Sequence, residues 1–385
     1  MQAVIAGAGV GGLAAAVALH RRGVDVTVVE RAAAANASGA ALSVWPNALR
    51  ALDRLGIGQQ VRQHAALGGN SGIRRPDGRW IARAALGEAL EARFGDPLVL
   101  VNRASLAQLL MDQLPPNTVR YGVTALGLDG AGDAAAVLHT TKGPLTADVV
   151  VAADGIWSTL RTSLFPTAQP PRYAGYTAWR MVVGDPGGAE PAETWGPGGQ
   201  RFAVLPIAGG QCYCYATADV PAGTRYDDDA AELRRRFGAW HEPIGKLLAP
   251  LTPDDVLRND IEELPPLPAM HRDRVALVGD SAHAMSPDLG QGACQAIEDA
   301  VVLAAVIDPH DSAAIPEALQ RYSELRLPRT SAVVRRSRKA GALYHRPLPV
   351  RRAAARLMNI VPPRVIARSL APVLDWQPPV AHRSA

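Results

Sequence analysis

Residues 3–30 read AVIAGAGVGGLAAAVALHRRGVDVTVVE. The apolar AVIA run predicts a short buried strand. Gly7, Gly9 and Gly12 then punctuate a turn, and LAAAVALHRRG reads as a helix that stops at Gly23. VDVTVVE predicts a second strand, ending at Glu30. Each glycine has a job in such a unit. Gly7 permits the tight turn, Gly9 lets the backbone approach a pyrophosphate, and Gly12 lets the helix pack closely on the strand. The helix N-terminus then faces the phosphates, and Glu30 can accept from ribose hydroxyls, with Arg31 beside it. FAD and NAD both use this arrangement, so it leaves the cofactor open.

Two later stretches extend the pattern. Residues 147–161 read ADVVVAADGIWSTLR: a buried strand, a turn at Asp154-Gly155, then Ser158 and Arg161 on the next helical turn. Residues 273–299 read DRVALVGDSAHAMSPDLGQGACQAIED. Here another buried strand ends at Asp280, and a loop runs into a helix. Asp280 can accept from a ribityl or ribose hydroxyl. Gly290 and Gly292, just before the helix, can bring backbone N–H groups close to a flat, electron-rich ring.

The three motifs in this order resemble the FAD-dependent aromatic hydroxylases, the class A flavoprotein monooxygenases. The resemblance covers roughly residues 1–335. GAALSVWPNALRAL at 39–52, RYAGYTAW at 172–179 and QRFAVLPIAGGQCYCYA at 200–216 are most similar to the FAD-dependent urate hydroxylases. Salicylate, 3-hydroxybenzoate and antibiotic-tailoring hydroxylases share much of the pattern.

The rest of the chain agrees with a soluble enzyme. With 385 residues the chain is long enough for about two domains. Its 48% hydrophobic and 20% charged content excludes disordered, collagenous and coiled-coil classes. The formal charge of +4, with no basic stripe before residue 330, argues against nucleic acid. Cys212, Cys214 and Cys294 follow no ligand pattern, so neither a metal nor a disulfide framework is expected, and a reduced cytoplasmic setting fits. No apolar run reaches about 18 residues, which argues against a membrane span.

The resemblance implies an α/β fold. A Rossmann-like FAD-binding domain of the glutathione-reductase type (1–70, 100–171 and 269–335) is interleaved with an antiparallel-sheet substrate domain (71–99 and 172–268). Residues 336–385, rich in Arg and Pro, are expected to be C-terminal helices packed on the domain. The family places an arginine against FAD at the start of a helix, and Arg103 in VNRASLAQLL occupies that position. A monomer or homodimer is expected. There is one glycine fingerprint only, so NADH or NADPH would bind transiently as electron donor.

The implied reaction uses NAD(P)H and O2 to hydroxylate an electron-rich aromatic or heteroaromatic molecule through a flavin hydroperoxide. Such a ring is most reactive as an anion, so the site needs a cation and an orienting polar group. Arg201 and Tyr213 are the candidates, on two strands joined by Ala208-Gly209-Gly210. A three-residue loop would pair Leu205 with Tyr213 and put Arg201 on the same face, roughly 13 Å further along the strand. A two-residue loop would put the two residues on opposite faces. Asp288 could hold a water, orient the flavin or steer a proton, and Pro287 would fix the loop. His283 is expected to support that loop. Trp179, Met285 and Trp45 could line the pocket. Arg180 stands where the urate hydroxylases lead one to expect a neutral residue, and would favour a carboxylated substrate if it faced the pocket. The resemblance makes conversion of urate to 5-hydroxyisourate one expected reaction, hydroxylation of a phenol of the salicylate, 3-hydroxybenzoate or antibiotic-tailoring type the alternative, and a flavin dehydrogenase without oxygen activation a lesser one.

Overall fold

The computed structural model describes residues 1–35, 41–64, 71–129 and 135–379. Gly39 and Ala40 of the 39–52 stretch, and short pieces of the expected domains at 65–70, 130–134 and 380–385, lie outside the described residues.

The opening unit folds as strand Gln2–Ala6, helix Val10–His20 and strand Asp25–Glu30. Strand Gln2–Ala6 sits inside a six-stranded sheet and pairs in parallel with Asp25–Glu30 and Val149–Ala152. Four of its five residues are buried, as a parallel strand covered on both faces requires. Val275–Leu277 extends the sheet in parallel beyond Val149–Ala152. All three cofactor motifs therefore leave neighbouring strand ends of one sheet. The Ala-rich helix Val10–His20 is buried along most of its length and packs against helix Gly292–Val306. Gly23, at φ +84°, lets the chain turn back after it.

A second sheet has seven strands, in the order Leu257–Glu263, Arg172–Gly184, Gln211–Ala218, Arg201–Ile207, Ala192–Trp195, Ser71–Arg74, Trp80–Ala84. It is antiparallel except where Ala192–Trp195 meets Ser71–Arg74. One face carries Trp179, Met181, Phe202, Val204, Cys212 and Cys214 into a core shared with helix Asp229–Phe237. Asp228 caps that helix, accepting from the Ala231 N–H at 2.9 Å. Each large apolar side chain buried there contributes about 1.5–3 kcal/mol. The other face of the sheet looks toward the cofactor motifs.

Helix Ile315–Tyr344 runs for 30 residues, about 45 Å at 1.5 Å per residue. The expected start of a separate C-terminal segment at residue 336 therefore falls inside one helix. The basic run RRSRK does not end it, because Thr330, Val333, Val334, Ser337 and Gly341 keep one face buried across that point.

Candidate active site

The glycine turn is built to contact tolerances that only glycine meets. Gly7 lies at φ +107°, and a Cβ there would sit 2.3 Å from the Ala153 carbonyl oxygen. A Cβ on Gly12 would fall 1.9 Å from the Gly7 carbonyl. Gly9 is the N-cap of the helix and supplies no side-chain cap, so the first-turn N–H groups face outward. The Arg103 guanidinium approaches the same turn, 3.9 Å from where a Gly9 Cβ would stand. Glu30 closes the far side: its carboxylate accepts from the N–H of Ala8 at 2.8 Å and of Ala32 at 2.9 Å. Arg31 is exposed next to it.

The other two motifs converge on this turn. Ala153 and Asp154 abut Gly7 directly. Burial pushes the Asp154 carboxyl up from its ordinary value, and bonds from Ser158 and Leu160 only partly offset this. Its Oδ1 is buried without a protein partner. Asp280 is exposed at the first turn of helix Asp280–His283, close to Gly292. Gly290 (φ +61°) lies against Trp45 and Ser43, where a Cβ would come within 3.0 Å of the indole nitrogen. Pro287 opens the short turn Pro287–Leu289 and is exposed. His283 is buried and bonds Asp299 at 2.6 Å, and Asp299 also takes the Gly279 N–H and Arg326. His283 thus anchors the loop from behind.

The loop meets the seven-stranded sheet through Asp288. Leu205 pairs with Tyr213, and Ile207 with Gln211, so the connection is Ala208-Gly209-Gly210. Arg201 stands opposite Thr217, and Arg180 opposite Tyr215. Arg180, Arg201, Tyr213, Tyr215 and Thr217 therefore share one face. The Arg201 guanidinium donates to Asp288 Oδ1 at 3.1 Å and to Thr217 Oγ1 at 3.1 Å, and approaches Glu193 at 3.4 Å. The Tyr344 ring covers it at 3.8 Å. Tyr176 donates to the second Asp288 oxygen at 2.9 Å. Burial alone would lower the Arg201 pKa, but Glu193, Asp288 and the neighbouring phenols hold it above its ordinary value. Burial pushes Glu193 up, and Arg201 does not fully offset it. Tyr213 is also raised by burial, while Arg180, within hydrogen-bonding reach, pulls it back.

Three comparisons bear on this geometry. Residues 1–337 match the FAD binding domain family. The chain is 34% identical over 356 residues to the FAD-dependent urate hydroxylase of Klebsiella pneumoniae, covering 90% of this chain and 91% of that one. It is 36% identical over 344 residues to the aurachin C monooxygenase/isomerase of Stigmatella aurantiaca, 88% of each chain. The crystal structure of Klebsiella pneumoniae HpxO complexed with FAD and uric acid superposes with a TM-score of 0.88 at 31% identity, over 97% of this chain and 96% of that one. The chain belongs to the FAD-dependent monooxygenases of the aromatic-hydroxylase type.

The donor set of this monooxygenase fits FAD. A turn of crowded glycines with outward N–H groups suits a pyrophosphate. The exposed Asp280 and the buried, unpartnered Asp154 oxygen suit hydroxyl donors. The indole N–H of Trp45 beside Gly290 is likewise buried without a protein partner.

One expected pocket residue of the monooxygenase is elsewhere. Trp179 pairs with Ala216 and points to the opposite face from Arg201, where its Nε1 donates to Asp229 at 2.6 Å. The strand period decides this: Arg180 faces the site, so its neighbour cannot. Met285 and Trp45 pack beside Leu90, Phe94 and Val333. Tyr176, Glu193, Tyr215 and Tyr344 were not anticipated. Tyr215 was legible, two residues from Tyr213 on the same strand face. Tyr344 was not, because it reaches the sheet only through the long C-terminal helix. Among the described residues no helix is long and apolar enough to cross a membrane, and no cluster of three or more His, Cys, Asp or Glu could hold a metal.

Proposed function

We propose that this monooxygenase hydroxylates a small, flat, electron-rich aromatic or heteroaromatic molecule, bound between the Pro287–Gly292 loop and the Arg201 face of the seven-stranded sheet. The observation that carries this reading is the buried Arg201–Asp288 pair, which brings the polar sheet face against the glycine loop. In the overall reaction one oxygen atom of O2 enters the ring as a hydroxyl. The other leaves as water, and NADH or NADPH supplies the two electrons. Bound FAD would carry the electrons and the reactive oxygen.

The chain's own residues have other tasks. Gly7, Gly9, Gly12, Glu30, Arg31, Arg103, Asp154, Asp280, Gly290 and Gly292 would hold the cofactor. Arg201 supplies a fixed positive charge that favours an ionised ring. Tyr213 orients the ring by a hydrogen bond, and Pro287 stiffens the loop. Asp288 acts as a positioning group for Arg201 and Tyr176. Glu193, which holds a proton more readily than an ordinary glutamate, gives Arg201 a second carboxyl partner.

The relatives named above support a heteroaromatic substrate, urate among them. The test is oxidation of NADH and NADPH by the FAD-replete protein, with and without urate or hydroxybenzoates, while product and peroxide are followed. Coupled, substrate-stimulated oxidation is expected. Oxidation that no aromatic compound stimulates would favour a flavin dehydrogenase.

A further inference from the structure

The cations on the site face are not equivalent. Arg201 is already committed: it faces Asp288 and Glu193, bonds Thr217, and lies under the Tyr344 ring. Its side chain is only 5% exposed. Arg180 is different. It shares the face, because it pairs with Tyr215 as Arg201 pairs with Thr217. Its residue is partly exposed, and its guanidinium bonds neutral partners, the Asn259 side-chain oxygen at 3.0 Å and the Tyr213 hydroxyl within reach. Among the described residues no carboxylate lies within ion-pair distance of it, whereas Arg258 on the next strand is paired to Asp260 at 2.8 Å. Arg180 stands on the same sheet face as Tyr213 and within hydrogen-bonding reach of it.

From these observations we infer that Arg180, together with the Tyr213 hydroxyl, receives a carboxylate of the substrate, so that the preferred substrate is an aromatic or heteroaromatic acid. This rests on the hydroxylase reading above and narrows its substrate class. The chemistry favours a carboxylate. A guanidinium offers a planar fork of N–H donors that matches two carboxylate oxygens, and the phenol adds a third donor. Urate spreads its charge over a bicyclic ring and presents no such fork. The spacing also suits an acid. Arg180 and Arg201 are two strands and two residues apart, on the order of 12 Å between Cα atoms from the spacings of a sheet. A ring lying between them would have a cation at each end.

The test uses the FAD-replete protein and two readouts. The first is perturbation of the flavin absorption band by benzoate, compared with benzamide. The second is NAD(P)H oxidation stimulated by salicylate or 3-hydroxybenzoate, compared with phenol and urate. In wild type, benzoate should perturb the flavin and benzamide should not. The hydroxybenzoates should stimulate oxidation at lower KM than phenol or urate. Arg180→Leu should raise the benzoate Kd and the KM for the acid at least tenfold, with a smaller change in kcat and FAD retained. Arg180→Lys should recover part of the loss. Equal use of phenol or urate, or an unchanged KM for the acid in Arg180→Leu, overturns the assignment of Arg180 and leaves the hydroxylase standing. Failure of every aromatic compound to stimulate oxidation overturns both.

Discussion

Asp288 and Arg201 are 87 residues apart in the chain and 3.1 Å apart in space, and their side chains are 1% and 5% exposed. One belongs to the loop that follows the last cofactor motif, the other to the seven-stranded sheet. The pair therefore fixes the distance between two layers that fold from different parts of the chain. Removing one partner of a buried pair leaves an uncompensated charge and costs on the order of 3–5 kcal/mol. Glu193 remains beside Arg201, so the Asp288→Ala variant should fall toward the lower end of that range. In urea denaturation of Asp288→Ala, Arg201→Met and the double variant, the double should cost clearly less than the sum. Additive losses would show that the two residues do not act as a pair.

Gly341 makes the pair possible. A Cβ on Gly341 would lie 2.4 Å from Asp288 Oδ2, the oxygen that takes the Tyr176 hydroxyl. The carboxylate would have to move, and helix Ile315–Tyr344 is packed behind it. Gly341→Ala should therefore lower kcat/KM at least tenfold, while the visible flavin spectrum shows FAD still bound. Wild-type kinetics in Gly341→Ala would mean that Asp288 does not need this position.

Trp179 separates the two faces of the sheet. It bonds Asp229 on the outer face and does not reach Arg201. Trp179→Phe removes one hydrogen bond, so a stability loss of about 1–2 kcal/mol is expected in thermal or urea unfolding. Its KM should stay within about twofold of wild type. A large KM effect would put the indole in the substrate site after all.

Asp299 gives the fold an acid-sensitive point behind the loop that carries Pro287 and Gly290. Burial alone would raise its pKa, but His283 and Arg326 bring it below the ordinary aspartate value of 3.8. The unfolded chain then binds the proton more readily, so stability from this site is present above pH 3.8 and lost as pH falls through the lower folded value. In urea titrations, the stability gap between wild type and Asp299→Asn should narrow below that pH. A gap independent of pH would show that the carboxylate charge is not what stabilises the loop.

Much of the opening glycine turn was legible in the sequence because it is local. Gly7, Gly9, Gly12 and Glu30 fall within one strand–turn–helix–strand unit; Gly7 and Gly12 leave no room for a Cβ, and Glu30 accepts from the Ala8 N–H of the turn. The Arg201–Tyr213 face needed one further fact, the loop length, which the register of Leu205 on Tyr213 supplies. Trp179 went to the other face because strand alternation admits only one of Trp179 and Arg180 to the site, and sequence alone did not say which. Glu193 and Tyr344 were beyond sequence reasoning: both meet Arg201 only after distant elements pack together. The boundary at 336 failed because composition changes there while the buried face of the helix does not.

The most direct test of the account is oxygen uptake by FAD-replete Arg201→Ala and Tyr213→Phe with a coupled substrate. Each should lose at least tenfold in kcat/KM, about 1.4 kcal/mol or more of transition-state stabilisation, with FAD content unchanged. Near-normal turnover in both variants would contradict the placement of the reaction on this face of the sheet.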